Sequence, residues 1–190
     1  ELFENQAPLT VNNFVALAED GFYDGRSFFK VVPGEYSATG SENDDGTGTL
    51  GYSIEGEATH EKARSHFAGT LTMTPDADGN TGSKFLICHQ PKNELDGRFT
   101  AFGRVMSEEG LNVVYKLNTH DATKFQSTRT EPSRIISVTI ENKRAHTYVK
   151  TPVGTTITTT GSDDGNASDA NSEDDPDYTP SSFDLLQQNN

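Results

Sequence analysis

Apolar and polar positions follow two different periods along the first 150 residues, and the change of period marks out the elements. After Pro8-Leu9-Thr10 the apolar residues Val11, Phe14, Val15, Leu17 and Ala18 recur at helical spacing. That pattern predicts an amphipathic helix with Thr10 as its N-cap and Gly21 beyond its end. Between Gly25 and Gly103 short β-prone runs take over, separated by Gly, Pro, Asn and Asp: Ser27 to Val32, Glu35 to Thr39, Ala68 to Thr74, Lys84 to His89 and Phe99 to Val105. A second helical pattern puts Leu111, Val114, Tyr115 and Leu117 on one face, and Arg134 to Ile140 reads as a last strand. Strands at this spacing with two helices predict a mainly β fold closed into an antiparallel barrel, because closure hides sheet edges that would otherwise pair with other chains. No internal repeat is present.

The pattern stops near residue 150. Residues 151–190 carry eight acidic side chains and no Lys or Arg, amid Thr, Ser, Gly and Asn. Such a segment cannot bury enough apolar surface to offset its ordering entropy, so residues 1–148 are expected to form the domain and 149–190 a disordered acidic tail or linker. Phe183-Asp184-Leu185-Leu186 is the tail's one candidate docking motif, and Asn166-Ala167-Ser168 fits a glycosylation sequon. The chain opens at Glu1-Leu2-Phe3 without an initiator Met or signal-like segment, which implies that something preceding it has been removed.

Charge and composition narrow the functions. The 190 residues carry 29 acidic and 15 basic side chains, a net charge of −14. That field repels phosphate backbones and anionic lipid, so nucleic acid is a poor partner. The longest apolar runs fall far short of the roughly 18 to 20 residues a membrane-crossing helix needs, so no membrane insertion is expected. The single cysteine, Cys88, cannot form an internal disulfide and has no zinc-ligand spacing around it; it reads as a small core residue. Asp76-Ala77-Asp78-Gly79-Asn80 imitates the opening of a calcium loop, but Thr81 and Ile87 stand where such loops need Gly and Glu. His60, His66, His89, His120 and His146 share no metal-ligand spacing and read as unrelated to one another. No metal and no cofactor is expected.

Six blocks occur in a fixed order: Glu1-Leu2-Phe3 with Ala7-Pro8 and Thr10 to Phe14; Gly21 to Gly25; Phe28 to Gly34; Gly69 to Met73; Gly82 to Cys88; and Leu95 to Val105. In residues, order and spacing the chain resembles the cyclophilin-type peptidyl-prolyl cis-trans isomerases, most closely their short-looped bacterial members, over residues 1 to about 146. The resemblance implies an eight-stranded antiparallel barrel capped at each end by a helix. Family members usually have several residues before the Glu-Leu-Phe triplet, so the first strand is expected to be truncated.

The chemistry this implies needs no nucleophile, metal or general base. Rotation about an X-Pro amide faces a barrier of about 20 kcal/mol because resonance gives the C–N bond double-bond character. An apolar notch for the proline ring, donors to the flanking carbonyl, and a cation donating to the prolyl nitrogen as it pyramidalises together weaken that resonance. In the family the cation is an Arg two residues after a Phe and three before Pro-Gly; here that position is Lys30, the implied catalytic residue. Lys keeps the charge but lacks the planar fork, so a loss of about 1–3 kcal/mol of transition-state stabilisation is expected, by analogy with one charge-assisted donor.

The remaining substrate-binding positions that the resemblance implies are Tyr36, Ala38, Met73, Thr74, Lys84, Leu86, Leu95 and Phe99. Ala38 and Lys84 stand where the family has Gln, Leu86 where it has Phe, Phe99 where it often has His, and Thr74 where it has Ala. Glu94 replaces an aromatic that contacts cyclosporin in many relatives, which argues against tight inhibition. The implied activity is a slow prolyl isomerase, a monomer acting on proline-containing peptides or unfolded segments. A non-catalytic module binding proline-containing peptides is the alternative, followed by a surface role for the acidic tail.

Overall fold

The computed structural model describes residues 1–122 and 130–154. Residues Glu1–Val153 form one compact unit; the second unit, Gly154–Asn190, holds only Gly154 among the described residues. The tail reading, with its sequon and Phe183–Leu186 motif, therefore lies outside the described residues. Residues 149–153 sit on the body: Lys150 pairs with Asp20, and the Val153 N–H donates to Ser53 O at 2.8 Å.

The elements are α1 (Pro8–Glu19), β1 (Lys30–Val32), β2 (Tyr36–Thr39), β3 (Thr70–Pro75), β4 (Thr81–Cys88), a 3-10 turn (Asn93–Leu95), β5 (Thr100–Arg104), α2 (Glu108–Tyr115) and β6 (His120–Asp121). The fold is mainly β with two helices, as expected. Among the described residues the strands make one open six-stranded antiparallel sheet, ordered β5-β3-β4-β2-β1-β6. This corrects the expected closed eight-stranded barrel. The two segments that would close it contribute single bridges. Leu2 bridges Gly103 at the β5 edge, and Arg134 bridges Ser27. Residues 134–140 lack strand alternation: Ile135, Val138 and Ile140 are partly buried while Ile136 is 91% exposed.

Helix α1 begins three residues before the sequence reading placed it. Ala7 is the N-cap position, Pro8 supplies the fixed φ of a first turn, and Thr10 lies inside the helix with its Oγ1 unpartnered among the described residues. Glu57 does the capping instead. Its two carboxylate oxygens accept the N–H groups of Leu9 (3.1 Å) and Thr10 (2.8 Å), and its own N–H donates to Thr100 Oγ1 at 2.9 Å. The C-terminal end is as the sequence implies. Gly21, at φ +70°, lets its N–H reach Ala18 O and the Phe22 N–H reach Leu17 O, closing the last turn.

The buried face of α1 seats Phe14 among Tyr23, Phe85 and Phe102, with ring centroids 4.9, 5.7 and 5.1 Å away. Val11, Val15, Leu17, Val31, Met73 and Ile87 complete this inner core. Asn13 beside it is matched on both sides: it donates to Gly82 O at 3.0 Å and accepts from the Tyr52 hydroxyl at 2.7 Å. Gly40 is required where β2 leaves the sheet. Its φ is +80°, and a Cβ there would sit 2.3 Å from Ser83 O. Helix α2 is capped by Ser107, whose Oγ accepts the Gly110 N–H at 3.0 Å, with Glu108 and Glu109 in its first turn.

Candidate active site

Side chains of a strand alternate between faces, so β4 serves two environments at once. Phe85 and Ile87 point into the inner core, whereas Leu86 and Cys88 join Ala38 in a separate apolar cluster on the opposite face. Phe29, Tyr36, Leu95 and Phe99 pack against that second cluster. The pairing register places a row across the sheet on this face: Lys30 opposite Ala38, Ala38 opposite Leu86, and Leu86 opposite Thr72. Neighbouring strands lie about 4.8 Å apart, so the Lys30 backbone is about 10 Å from that of Leu86, with Ala38 between them. Lys30 is half-buried and makes no ion pair among the described residues; Asp121 stands opposite it on β6.

The structure thus brings together Tyr36, Ala38, Leu86, Leu95 and Phe99, with Lys30 on their row. Two expected residues lie to one side. Thr74 and Lys84 line an adjoining cavity of about 160 Å³ with Tyr52, Asn80 and Ser83, and the Lys84 ammonium is 3.4 Å from Gly46 O. Met73 does not line the outward face. It pairs with Phe85, shares that residue's parity, and is fully buried in the inner core.

Around the cluster the electrostatics are local. Lys92 pairs with Glu35 and, at 3.4 Å, with Glu94 on the 3-10 turn. The hydrogen bond from Lys92 holds the Glu35 carboxyl below its ordinary value. Burial pushes the Cys88 thiol up to about 11, so it remains a protonated, unreactive apolar group. Asp76 spends one oxygen on the N–H groups of Asp78 (3.0 Å) and Asn80 (2.9 Å), making the calcium-like loop a self-bonded turn. Among the described residues no cluster of His, Cys, Asp and Glu could hold a metal. Nor is any helix among them long and apolar enough to cross a membrane.

One group of residues escaped the sequence reading. His66, which the sequence reads as unrelated to the other histidines, is wholly buried and bonded to Asp96 and Thr72. His66 and Asp96 are 30 positions apart, and no periodicity links them. The available signal was that Asp96 falls inside the block containing Leu95.

Residues 1–140 match the family model for cyclophilin type peptidyl-prolyl cis-trans isomerases. A peptidyl-prolyl cis-trans isomerase of Synechococcus elongatus is 45% identical over 121 residues, which cover 64% of this chain and 81% of that protein. The Bacillus subtilis peptidyl-prolyl cis-trans isomerase B is 41% identical over 124 residues, 65% of this chain and 85% of that protein. A solved structure of a Cryptosporidium parvum cyclophilin type isomerase, determined in the presence of the dipeptide Ala-Pro, superposes with a TM-score of 0.64 at 23% identity, covering 75% of this chain and 91% of that one. The chain belongs to the cyclophilin type peptidyl-prolyl cis-trans isomerase family and is an isomerase of that class.

Proposed function

We propose that the outward face of the sheet catalyses rotation about X-Pro bonds in peptides and unfolded segments, slowly, with Lys30 as the cation. The observation that carries this reading is the register row joining Lys30, Ala38 and Leu86 on the face where Leu95 and Phe99 close an apolar cluster. A proline ring seated on Leu86, between Leu95, Phe99 and Tyr36, lies within reach of the Lys30 ammonium. Donation from that ammonium to the prolyl nitrogen favours the pyramidal, twisted state and lowers the barrier. Ala38 carries no donor for the flanking carbonyl, so one interaction of the transition state is missing. Thr74 and Lys84 contact the chain beyond the proline, and Met73 backs the face from the core.

The protein works as a monomer without cofactor, and its acidic 149–190 segment acts apart from turnover. Its net charge of −14 argues against a nucleic-acid partner.

An isomerisation assay on short X-Pro peptides tests the proposal. The expected result is a measurable rate that rises several-fold in Lys30→Arg, because the planar fork restores a second donor. An unchanged rate in Lys30→Arg would mean that the cation is elsewhere. No rate above background with the fold intact would leave peptide binding alone.

A further inference from the structure

His66 is 0% exposed and engages every polar atom it has. Its backbone N–H donates to Asp96 Oδ1 at 3.0 Å, and its carbonyl accepts the Lys92 N–H at 2.9 Å. Those two contacts grip both ends of the 3-10 turn that carries Leu95. The turn closes on itself through Leu95 N–H to Lys92 O (2.9 Å) and Asp96 N–H to Asn93 O (3.2 Å). The imidazole completes the link: Nδ1 lies 2.6 Å from Asp96 Oδ1 and Nε2 lies 2.9 Å from Thr72 Oγ1. Thr72 is the cross-strand partner of Leu86. One ring therefore joins the element bearing Leu95 to the sheet row bearing Leu86 and Lys30.

The Asp–His–Thr sequence of bonds has the order of a nucleophilic triad, yet Thr72 is fully buried and no substrate carbonyl can reach its hydroxyl. With Nδ1–H facing the carboxylate, Nε2 is left to bond the Thr72 hydroxyl. The hydroxyl is consumed in holding position.

We infer that His66 is a positioning residue for the proline notch, setting the separation of Leu95 from Leu86; this rests on the notch proposed above. The 3-10 turn is three residues long, buries none of them, and has no side-chain cap. Its placement depends on what holds its two ends, Asp96 through His66 and Lys92 through His66 and Glu35.

The test compares peptide kinetics of four variants in the full 190-residue chain, with folding checked by circular dichroism. His66→Ala should raise KM for an Ala-Pro tetrapeptide about tenfold while leaving kcat within about twofold, because a loosened notch binds ground and transition states alike less well. His66→Asn places an amide where Nδ1 stood and should recover most of the loss. Asp96→Ala cuts the same link from the partly exposed side without opening a core cavity, and should match His66→Ala even if that variant fails to fold. Leu86→Ala reports on the notch itself. If Leu86→Ala raises KM while folded His66→Ala or Asp96→Ala does not, the positioning role is overturned and the notch stands. If Leu86→Ala also leaves KM unchanged, the notch is misplaced and the inference falls with it.

Discussion

The two faces of β4 differ in purpose though they differ little in hydrophobicity. Inward, Phe85 meets Phe14 and Phe102 edge-on, in a core shielded by α1. Outward, Leu86 and Cys88 meet Ala38 under partly exposed rings and Leu95, with no α-helix over them among the described residues. The inner face is filled by its own chain. On the outer side Ala38, Leu86 and Cys88 are buried too, but the rings and Leu95 packed over them stay partly exposed, an apolar surface a ligand can meet. Apolar content therefore does not separate structure from site here; strand parity and what covers each face do.

The comparison is broken most severely from inside. Phe102→Ala should destabilise the protein by about 3–5 kcal/mol, read by denaturant unfolding, because a large ring with no exposure leaves a cavity. Leu86→Ala, on the other face, should cost less stability and show itself chiefly in peptide affinity. An equal loss of stability at both positions would erase the distinction between the faces.

A second test sharpens the contrast through α1. Glu57→Gln should lower stability by about 1–3 kcal/mol, since one carboxylate oxygen that accepts a helix N–H becomes a donor. Peptide affinity should stay within twofold, because Glu57 serves the inner face only.

The smallest effect is a pH dependence on the outer face. Burial pulls the Asp96 carboxyl upward, but the His66 ring and backbone hydrogen bonds and that of Ser65 outweigh it, so the carboxyl sits below its ordinary 3.8. A carboxyl lowered on folding contributes stability above its unfolded value and loses it as pH falls through the lower folded one. Peptide affinity should hold through the ordinary carboxylate range and weaken only as pH falls below 3.8 toward the lowered folded value, while Asp96→Asn, which cannot ionise, should flatten that acid limb. An identical limb in Asp96→Asn would contradict the assignment.

Much of this was legible in the residues. The i, i+3, i+4 spacing of Val11, Phe14 and Val15 specifies the buried face of α1. The runs around Val31, Tyr36, Leu71, Phe85 and Phe102 became β1 to β5 with ends shifted by a few residues. The N-cap was not legible, because Glu57 reaches it from 47 positions away and nothing near Thr10 encodes that contact. Closure failed for a related reason: strand propensity in Arg134–Ile140 says nothing about whether its two faces meet different environments. Met73 was misplaced as a notch residue since its facing depends on pairing with Phe85 rather than Leu86. His66 was invisible because its partners are distant in sequence.

The most direct test is the kcat and KM of Lys30→Ala for an X-Pro peptide, measured beside the unaltered protein with folding verified. The account predicts kcat lowered at least tenfold with KM nearly unchanged, because the ammonium acts on the twisted amide and not on the resting one. Unchanged kcat in a folded Lys30→Ala protein would contradict it.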